Sequence, residues 1–331
     1  MTPGLDLDTL VLTLKAAGES TRLRILALLL RGDLTVSDLT DILGQSQPRV
    51  SRHLKLLHEA GLIDRYQEGS WAWFRLSDAD GPRDLVRGLV ARLDAADRQT
   101  ARDGERLVEV KRRRQHKAAA YFAANAAAWD ELRSLHAADG KVEAALKRVV
   151  GDRPFQAMLD LGAGTGRMLE LFADQYRRGV GIDLSREMLD VARANLDRAG
   201  VAHAQVRQGD LFAAPVERGA FDLVVMHQVL HYLDDPAAAI AEAARFLRPA
   251  GRLVIVDFAP HGHEFLREHH QHHRLGFSDE AIAAGFAAAG LDTARPLAIA
   301  PDKAGGLTVK IWQARDPRLL IADSPAQLEI A

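Results

Sequence analysis

The chain has 331 residues, with 43 Lys and Arg against 45 Asp and Glu, a formal charge of -2 and no cysteine. That length suits two domains of roughly 100 to 200 residues rather than one core. The lack of cysteine excludes disulfides, thiolate metal sites and cysteine nucleophiles, and apolar runs such as Leu26–Leu30 and Leu223–Met226 fall far short of the roughly 20 residues of a membrane span.

Asp6 and Asp8 stand where an export signal would carry positive charge, so a soluble, cytoplasmic protein without a membrane partner is expected. Charge is split along the chain: 20 Lys and Arg against 17 Asp and Glu up to Lys117, then 23 against 28. Only the first part leans toward a polyanionic partner.

Leu23, Ile25, Leu26, Leu28 and Leu29 recur at helical spacing and Gly32-Asp33 ends that helix. A short helix is predicted over Val36–Leu43, closed by Gly44. The next opens with Ser46 as N-cap and Pro48 in its first turn and turns Val50, Leu54 and Leu57 inward. Its other face is expected to present Gln47, Arg49, Ser51, Arg52, His53 and Lys55, hydrogen-bonding types able to reach base edges or phosphates in a major groove. A two-stranded hairpin follows, with a turn over Gln67–Ser70 and a second strand over Trp71–Leu76.

Helix, helix and hairpin in this order make a winged helix. The stretches Lys15–Leu26, Gln45–Leu57 and Glu59–Ile63 resemble the ArsR group of winged-helix repressors over roughly residues 8 to 100. The resemblance implies operator DNA as a partner and a homodimer, for which Leu85, Leu89 and Leu93 on the helix after the hairpin would supply the apolar stripe. It does not extend to metal sensing: Thr35–Asp38 has no thiol and Val86–Asp103 no histidine.

From Arg92 to Arg133 an alanine-rich, charged, proline-free stretch predicts a helical connector. Beyond it, a strand over Phe155–Leu161 runs into Gly162-Ala-Gly-Thr-Gly166 and a helix over Arg167–Tyr176. This is a nucleotide-binding opening, and the glycine run alone does not separate a dinucleotide from an adenosyl amino acid. A second strand over Gly179–Leu184 places Asp183 where a carboxylate can accept both ribose hydroxyls. Further strands are predicted over Gln205–Leu211, Phe221–His227 and Gly251–Asp257, the last after a turn at Leu247–Gly251. A helix over Ser278–Ala289 and two strands around Gly305-Gly306 close the series.

These segments, with Met188-Leu189, Gly209–Leu211 and Leu247–Leu253, resemble the class I S-adenosylmethionine-dependent methyltransferases over roughly residues 120 to 315. The expected fold is α/β, a Rossmann-like sheet of seven strands, beside a separate, mainly α winged-helix domain. Expected boundaries are 1–100 for the winged helix, 101–135 for the connector, 136–315 for the methyltransferase-like domain and 316–331 for a tail. The resemblance implies S-adenosylmethionine or S-adenosylhomocysteine as ligand. Asp160, Gly162, Ala163, Gly164 and Gly166 would line its methionine portion and Asp183 its ribose. Leu184 and Met188 would meet the adenine face, Asp210 and Leu211 the adenine, and His227 the pocket floor, with Tyr121 closing over the ligand.

Six of the 13 histidines lie within His261–His273; on a helix, His269, His272 and His273 would share a face able to bind zinc or nickel, but the spacing lacks the metalloprotease pattern. Similar segments in methyltransferase domains fused to ArsR-type winged helices look structural, and that resemblance implies no metal here. Some ArsR–methyltransferase fusions resembling this one govern the methionine cycle in response to S-adenosylhomocysteine, which implies a sensing regulator. The alternative is an active methyltransferase of a small molecule, with His227 or His231 as base. Arsenic methylation would resemble enzymes that depend on cysteines, and this chain has none.

Overall fold

The computed structural model describes residues 5–68, 71–77, 79–94, 96–113, 139–266, 272–303 and 305–318. Tyr121 and most of the expected connector lie outside them. Helix α1 (Leu7–Ala17) starts where the Asp6 carboxylate accepts Thr9 N–H at 2.9 Å, and α2 (Ser20–Leu29) follows. Strand β1 (Leu34–Thr35) leads into α3 (Val36–Leu43), where Thr35 and Asp38 satisfy each other's backbone donors in a capping box. Gly44, at φ 64°, closes α3 in the left-handed conformation a side chain would resist.

Helix α4 (Gln47–Glu59) buries Val50, Leu54 and Leu57 against Ile25, Leu26, Leu39 and Ile42. Strands β2 (Ile63–Glu68) and β3 (Trp71–Leu76) pair antiparallel, and β1 joins them in the order β1-β3-β2. Helix α5 (Asp80–Val90) and α6, described over 98–113, complete this half. Leu107 and Val110 of α6 enter its core, and Arg24 grips Asp103 with two bonds of 2.6 and 2.7 Å.

The second half begins with α7 (Asp139–Val150) and β4 (Phe155–Leu161). Next come α8 (Arg167–Leu171), β5 (Tyr176–Asp183), α9 (Arg186–Ala199), β6 (Ala204–Gln208), β7 (Phe221–His227) and α10 (Pro236–Arg245). The chain continues through β8 (Leu247–Phe258), α11 (Asp279–Ala288), β9 (Asp292–Thr293), β10 (Leu297–Ile299) and β11 (Val309–Arg315). Seven strands run β10-β11-β8-β7-β4-β5-β6, with β9 pairing beside β11. The five from β8 to β6 are parallel and β11 is antiparallel. Two apolar clusters cover the sheet, one per face, as a sheet fed by helical crossovers requires. The order reverses between β4 and β7, which opens a crevice at the carboxyl ends of these strands.

Several boundaries differ from the sequence expectation. The helix after the glycine turn ends at Leu171, because Tyr176 turns into the core and donates its hydroxyl to the Leu169 carbonyl at 2.6 Å. The third strand ends at Gln208, and Asp210 instead caps a one-turn helix over Leu211–Ala213. The expected turn at Leu247–Gly251 belongs to β8, absorbed by a bulge in which Phe221 faces Leu247 while Leu223 faces Arg252. In the hairpin, Gln67 and Glu68 lie in β2 rather than in the turn. Helix α1 and strand β1 add to the expected elements.

Candidate functional site: a strand-tip crevice and an exposed basic helix

Strand β4 delivers Asp160 to the crevice floor at 1% exposure. Neither carboxylate oxygen has a hydrogen-bond partner among the described residues. Burial, with the nearby Asp183 charge, pushes its pKa up to about 8. A buried carboxylate with no donor is costly unless a cation or donor comes to it.

The glycine turn then bends tightly over the tip of β5. Ile182 carbonyl accepts both Gly162 N–H and Ala163 N–H, at 2.8 and 2.9 Å. Gly162 has φ 75°, and a Cβ there would lie 2.4 Å from Val229. Gly164, at φ 50°, faces open space, so a ligand can approach its backbone. Gly166 packs on α9, where a Cβ would meet that of Ala192 at 3.1 Å.

Asp183 ends β5. Its carboxylate accepts Gly164 N–H and Ser185 N–H, each at 2.8 Å, which fixes its orientation toward the turn. Burial raises its pKa, against those two bonds. Leu184, 67% exposed, and Phe212, 43% exposed, stand at the neighbouring tips of β5 and β6; two large apolar side chains open to water there suit a flat apolar ligand face. Phe212 is absent from the sequence-based set, although it directly follows the Asp210-Leu211 pair. Met188 is half-buried at the start of α9, Leu211 is buried, and Asp210 is exposed with Phe212 N–H on its carboxylate. His227 ends β7, half-buried. The structure thus brings Asp160, Gly162, Ala163, Gly164, Gly166, Asp183, Leu184, Met188, Asp210, Leu211 and His227 to one end of the sheet. The buried, donorless Asp160 and the carboxylate at the β5 tip fit the ammonium and ribose hydroxyls of an adenosyl amino acid.

A second carboxylate pairs with histidine just past β7. His231, 2% exposed, holds Nδ1 2.8 Å from Asp257 Oδ1, and its backbone N–H reaches Asp257 Oδ2 at 3.2 Å. A carboxylate can only accept, so Nδ1 is the donor in this bond; Nε2 has no partner among the described residues. The His272 ring stacks on it at 4.0 Å. No group of three His, Asp or Glu arranged for a metal occurs among the described residues, and 267–271 of the histidine cluster lie outside them.

On the other half, Gln47, Arg49, Ser51, Arg52 and Lys55 are exposed on α4. His53 corrects the expected outward face: its side chain is 13% exposed and Nδ1 lies 3.4 Å from Glu19 at the start of α2. At position 53 it neighbours the inward stripe of Val50, Leu54 and Leu57. Burial holds its pKa below the ordinary histidine value, with Arg22, Arg49 and Arg52 adding to the effect of burial and Glu19 opposing it. Exposed Arg65 on β2 extends the basic surface beyond α4.

Comparison with known proteins matches residues 19–65 to the family of bacterial regulatory proteins, arsR family, and residues 159–255 to a methyltransferase domain family. A 37.1 kDa protein in transposon TN4556 of Streptomyces fradiae is 41% identical over 106 residues, 31% of this chain and 30% of that protein. The methyltransferase YcgJ of Bacillus subtilis is 32% identical over 104 residues, 31% of this chain and 41% of its own length. The malonyl-[acyl-carrier protein] O-methyltransferase of Hahella chejuensis is 34% identical over 140 residues, 42% and 48% of the two chains. This chain thus spans less than half the length of each of these relatives. The crystal structure of YcgJ superposes with a TM-score of 0.46 at 20% identity, covering 54% of this chain and 98% of that one.

Proposed function

Starting from a chain that matches the arsR regulatory family over residues 19–65 and a methyltransferase domain family over residues 159–255, we propose a transcriptional regulator, acting as a repressor, whose hold on operator DNA is set by S-adenosylmethionine or S-adenosylhomocysteine. One observation carries this reading: the same chain presents five exposed polar and basic side chains on α4 and a crevice whose buried Asp160 has no donor among the described residues. Helix α4 lies in a major groove, with Gln47, Arg49, Ser51, Arg52 and Lys55 at base edges and phosphates. In the crevice Asp160 takes the ligand ammonium and Asp183 the ribose hydroxyls. The turn from Gly162 through Ala163 and Gly164 to Gly166 follows the methionine portion. Leu184 and Met188 cover the adenine face, Asp210 and Leu211 meet its edge, and His227 forms the floor.

Two copies are needed to span half-sites one helical turn apart, about 34 Å. Leu85, Leu89 and Leu93, the expected dimer stripe, are half-buried, and α5 packs by Val86 and Leu89 on its own core. Leu7, Val11 and Leu14, at 75%, 39% and 42% exposure, instead form an apolar row on α1 at i, i+4 and i+7. The second copy packs on that row. Mass spectrometry of ligand retained through native purification, followed by titration of DNA binding with each adenosyl compound, tests the proposal. DNA affinity indifferent to both defeats it.

The His231–Asp257 pair favours a second reading, a chain that also methylates a small acceptor. When bound, S-adenosylmethionine supplies the electrophilic methyl group. His231 Nε2 would receive the acceptor's proton, and Asp257 would stabilise the resulting imidazolium. Labelled methyl transfer to hydroxyl or amine acceptors in a metabolite extract, lost in His231→Ala, supports this; no transfer above a ligand-free control leaves the regulator alone.

A further inference from the structure

Helix α9 touches the glycine turn and the winged helix at once. On one side, Ala192 lies under Gly166, and Asn195 donates its side-chain amide to the Thr165 carbonyl at 3.0 Å. One residue on, Arg193 leaves the ligand end and reaches the wing. Its side chain is 7% exposed, its guanidinium carbon lies 3.9 Å above the Trp73 ring, and Nη2 donates to the Val206 carbonyl at 3.2 Å. A turn later, Asp197 receives Lys111 Nζ from α6 at 2.7 Å, and Lys111 also donates to the Arg31 carbonyl at 3.0 Å in the turn after α2. Strand β2 lies against β6, and a cavity of about 270 Å³ separates the remaining surfaces.

The contact at Trp73 leads directly into the DNA-reading unit. Strand β3 is the centre of the winged sheet, and Trp73 pairs with Thr35 on β1 and Tyr66 on β2. Thr35 is the residue that caps α3, the first helix of the helix-turn-helix. A continuous 14-residue α-helix is a stiff element of the kind that can carry coupling between sites. A displacement of the glycine turn carried through Ala192 and Asn195 can therefore reach Trp73 and Lys111 through the same helix. A guanidinium stacked on an indole suits such a contact, since it holds orientation as well as charge.

We propose that α9 is the coupling element of this chain, and that the Arg193–Trp73 stack with the Asp197–Lys111 ion pair transmits ligand occupancy at the glycine turn to the helix-turn-helix. The inference rests on the ligand-controlled DNA binding proposed above. It adds the route, and it makes Arg193 and Asp197 residues that touch neither ligand nor DNA yet set how strongly one affects the other.

The test uses the full chain and a duplex that the wild-type chain enriches from a random-sequence pool, with S-adenosylhomocysteine as the probe. Duplex affinity is measured with and without saturating probe, and probe affinity by calorimetry. Coupling of the usual size changes duplex affinity on the order of 5- to 150-fold. Arg193→Gln and Asp197→Asn are expected to bind probe and duplex separately like wild type while that ratio falls toward one, with Arg193→Lys in between. A wild-type ratio retained in both variants overturns the coupling role of α9 and leaves ligand control standing, whereas a wild-type ratio of one removes ligand control itself. Should a variant lose probe binding through misfolding, hydrogen exchange of the wild-type chain decides: the probe must alter exchange in 34–36 and 73–76, and unchanged exchange there sinks the proposal.

Discussion

Asp160 is buried without a donor among the described residues, and its proton affinity is correspondingly high. Its folded pKa of about 8 stands above the ordinary 3.8. The folded ligand-free chain therefore holds a proton that the unfolded chain releases, and stability falls as pH rises from about 4 to about 8. Asp160→Asn removes that dependence. We expect the variant to melt higher than wild type without ligand, by a margin that widens from pH 5 to pH 8 in thermal scans. Its affinity for an adenosyl amino acid should drop about 10- to 100-fold, the worth of one charge-assisted hydrogen bond of roughly 1.5 to 3 kcal/mol. A variant that melts no higher at pH 8 would show that Asp160 is satisfied in solution. The wild-type ligand complex should also release protons on binding near pH 7, read as a buffer-dependent calorimetric heat.

The glycine turn joins a tightly packed position, Gly162, to an open one, Gly164. Gly162→Ala would place a methyl group 2.4 Å from Val229 at a φ of 75°, so it should lower the melting temperature and ligand affinity together. Gly164→Ala meets open space at φ 50° and adds only backbone strain of about 1 kcal/mol, so ligand affinity should fall with little loss of stability. Equal melting losses in the two would refute that division. On α4, Arg49→Ala and Arg52→Ala should each weaken binding to a selected duplex by about 1 to 3 kcal/mol if they read bases, measured by fluorescence anisotropy, while His53→Ala changes it less.

Much of this was legible because the signals are local. Gly162–Gly166 directly follows a strand, Asp183 lies one strand further on, and Gly44 closes a helix whose ends match the expectation. Helix α1 was not legible, since Leu7, Val11, Leu12 and Leu14 face outward and only Thr13 and Ala17 are buried. The length of α8 was set by Tyr176 finding the Leu169 carbonyl, and Asp257 acquired meaning only through His231, 26 residues earlier in the chain. Both are tertiary choices that periodicity does not carry.

The proposed dimer would present the basic face of α4 twice. The exposed apolar row on α1 is where the second copy should pack, so Leu7→Glu with Val11→Glu is expected to give a monomer in sedimentation velocity. The same variant should retain ligand affinity and lose most of its affinity for a two-half-site duplex. A variant that still sediments as a dimer would move the interface elsewhere.

The Lys111–Asp197 bridge is 23% and 13% exposed at its two ends, whereas the α4 residues stand in water. Dissolved ions screen the open charges far more strongly than the sheltered pair, over a distance of about 10 Å at 0.1 M, and each released phosphate contact steepens the loss of duplex. Moderate salt should therefore strip the chain from nucleic acid while its two halves stay docked. Because the chain has no cysteine, a pair of thiols introduced one per half can carry spectroscopic labels, and their separation should hold steady across the salt range in which the duplex is shed.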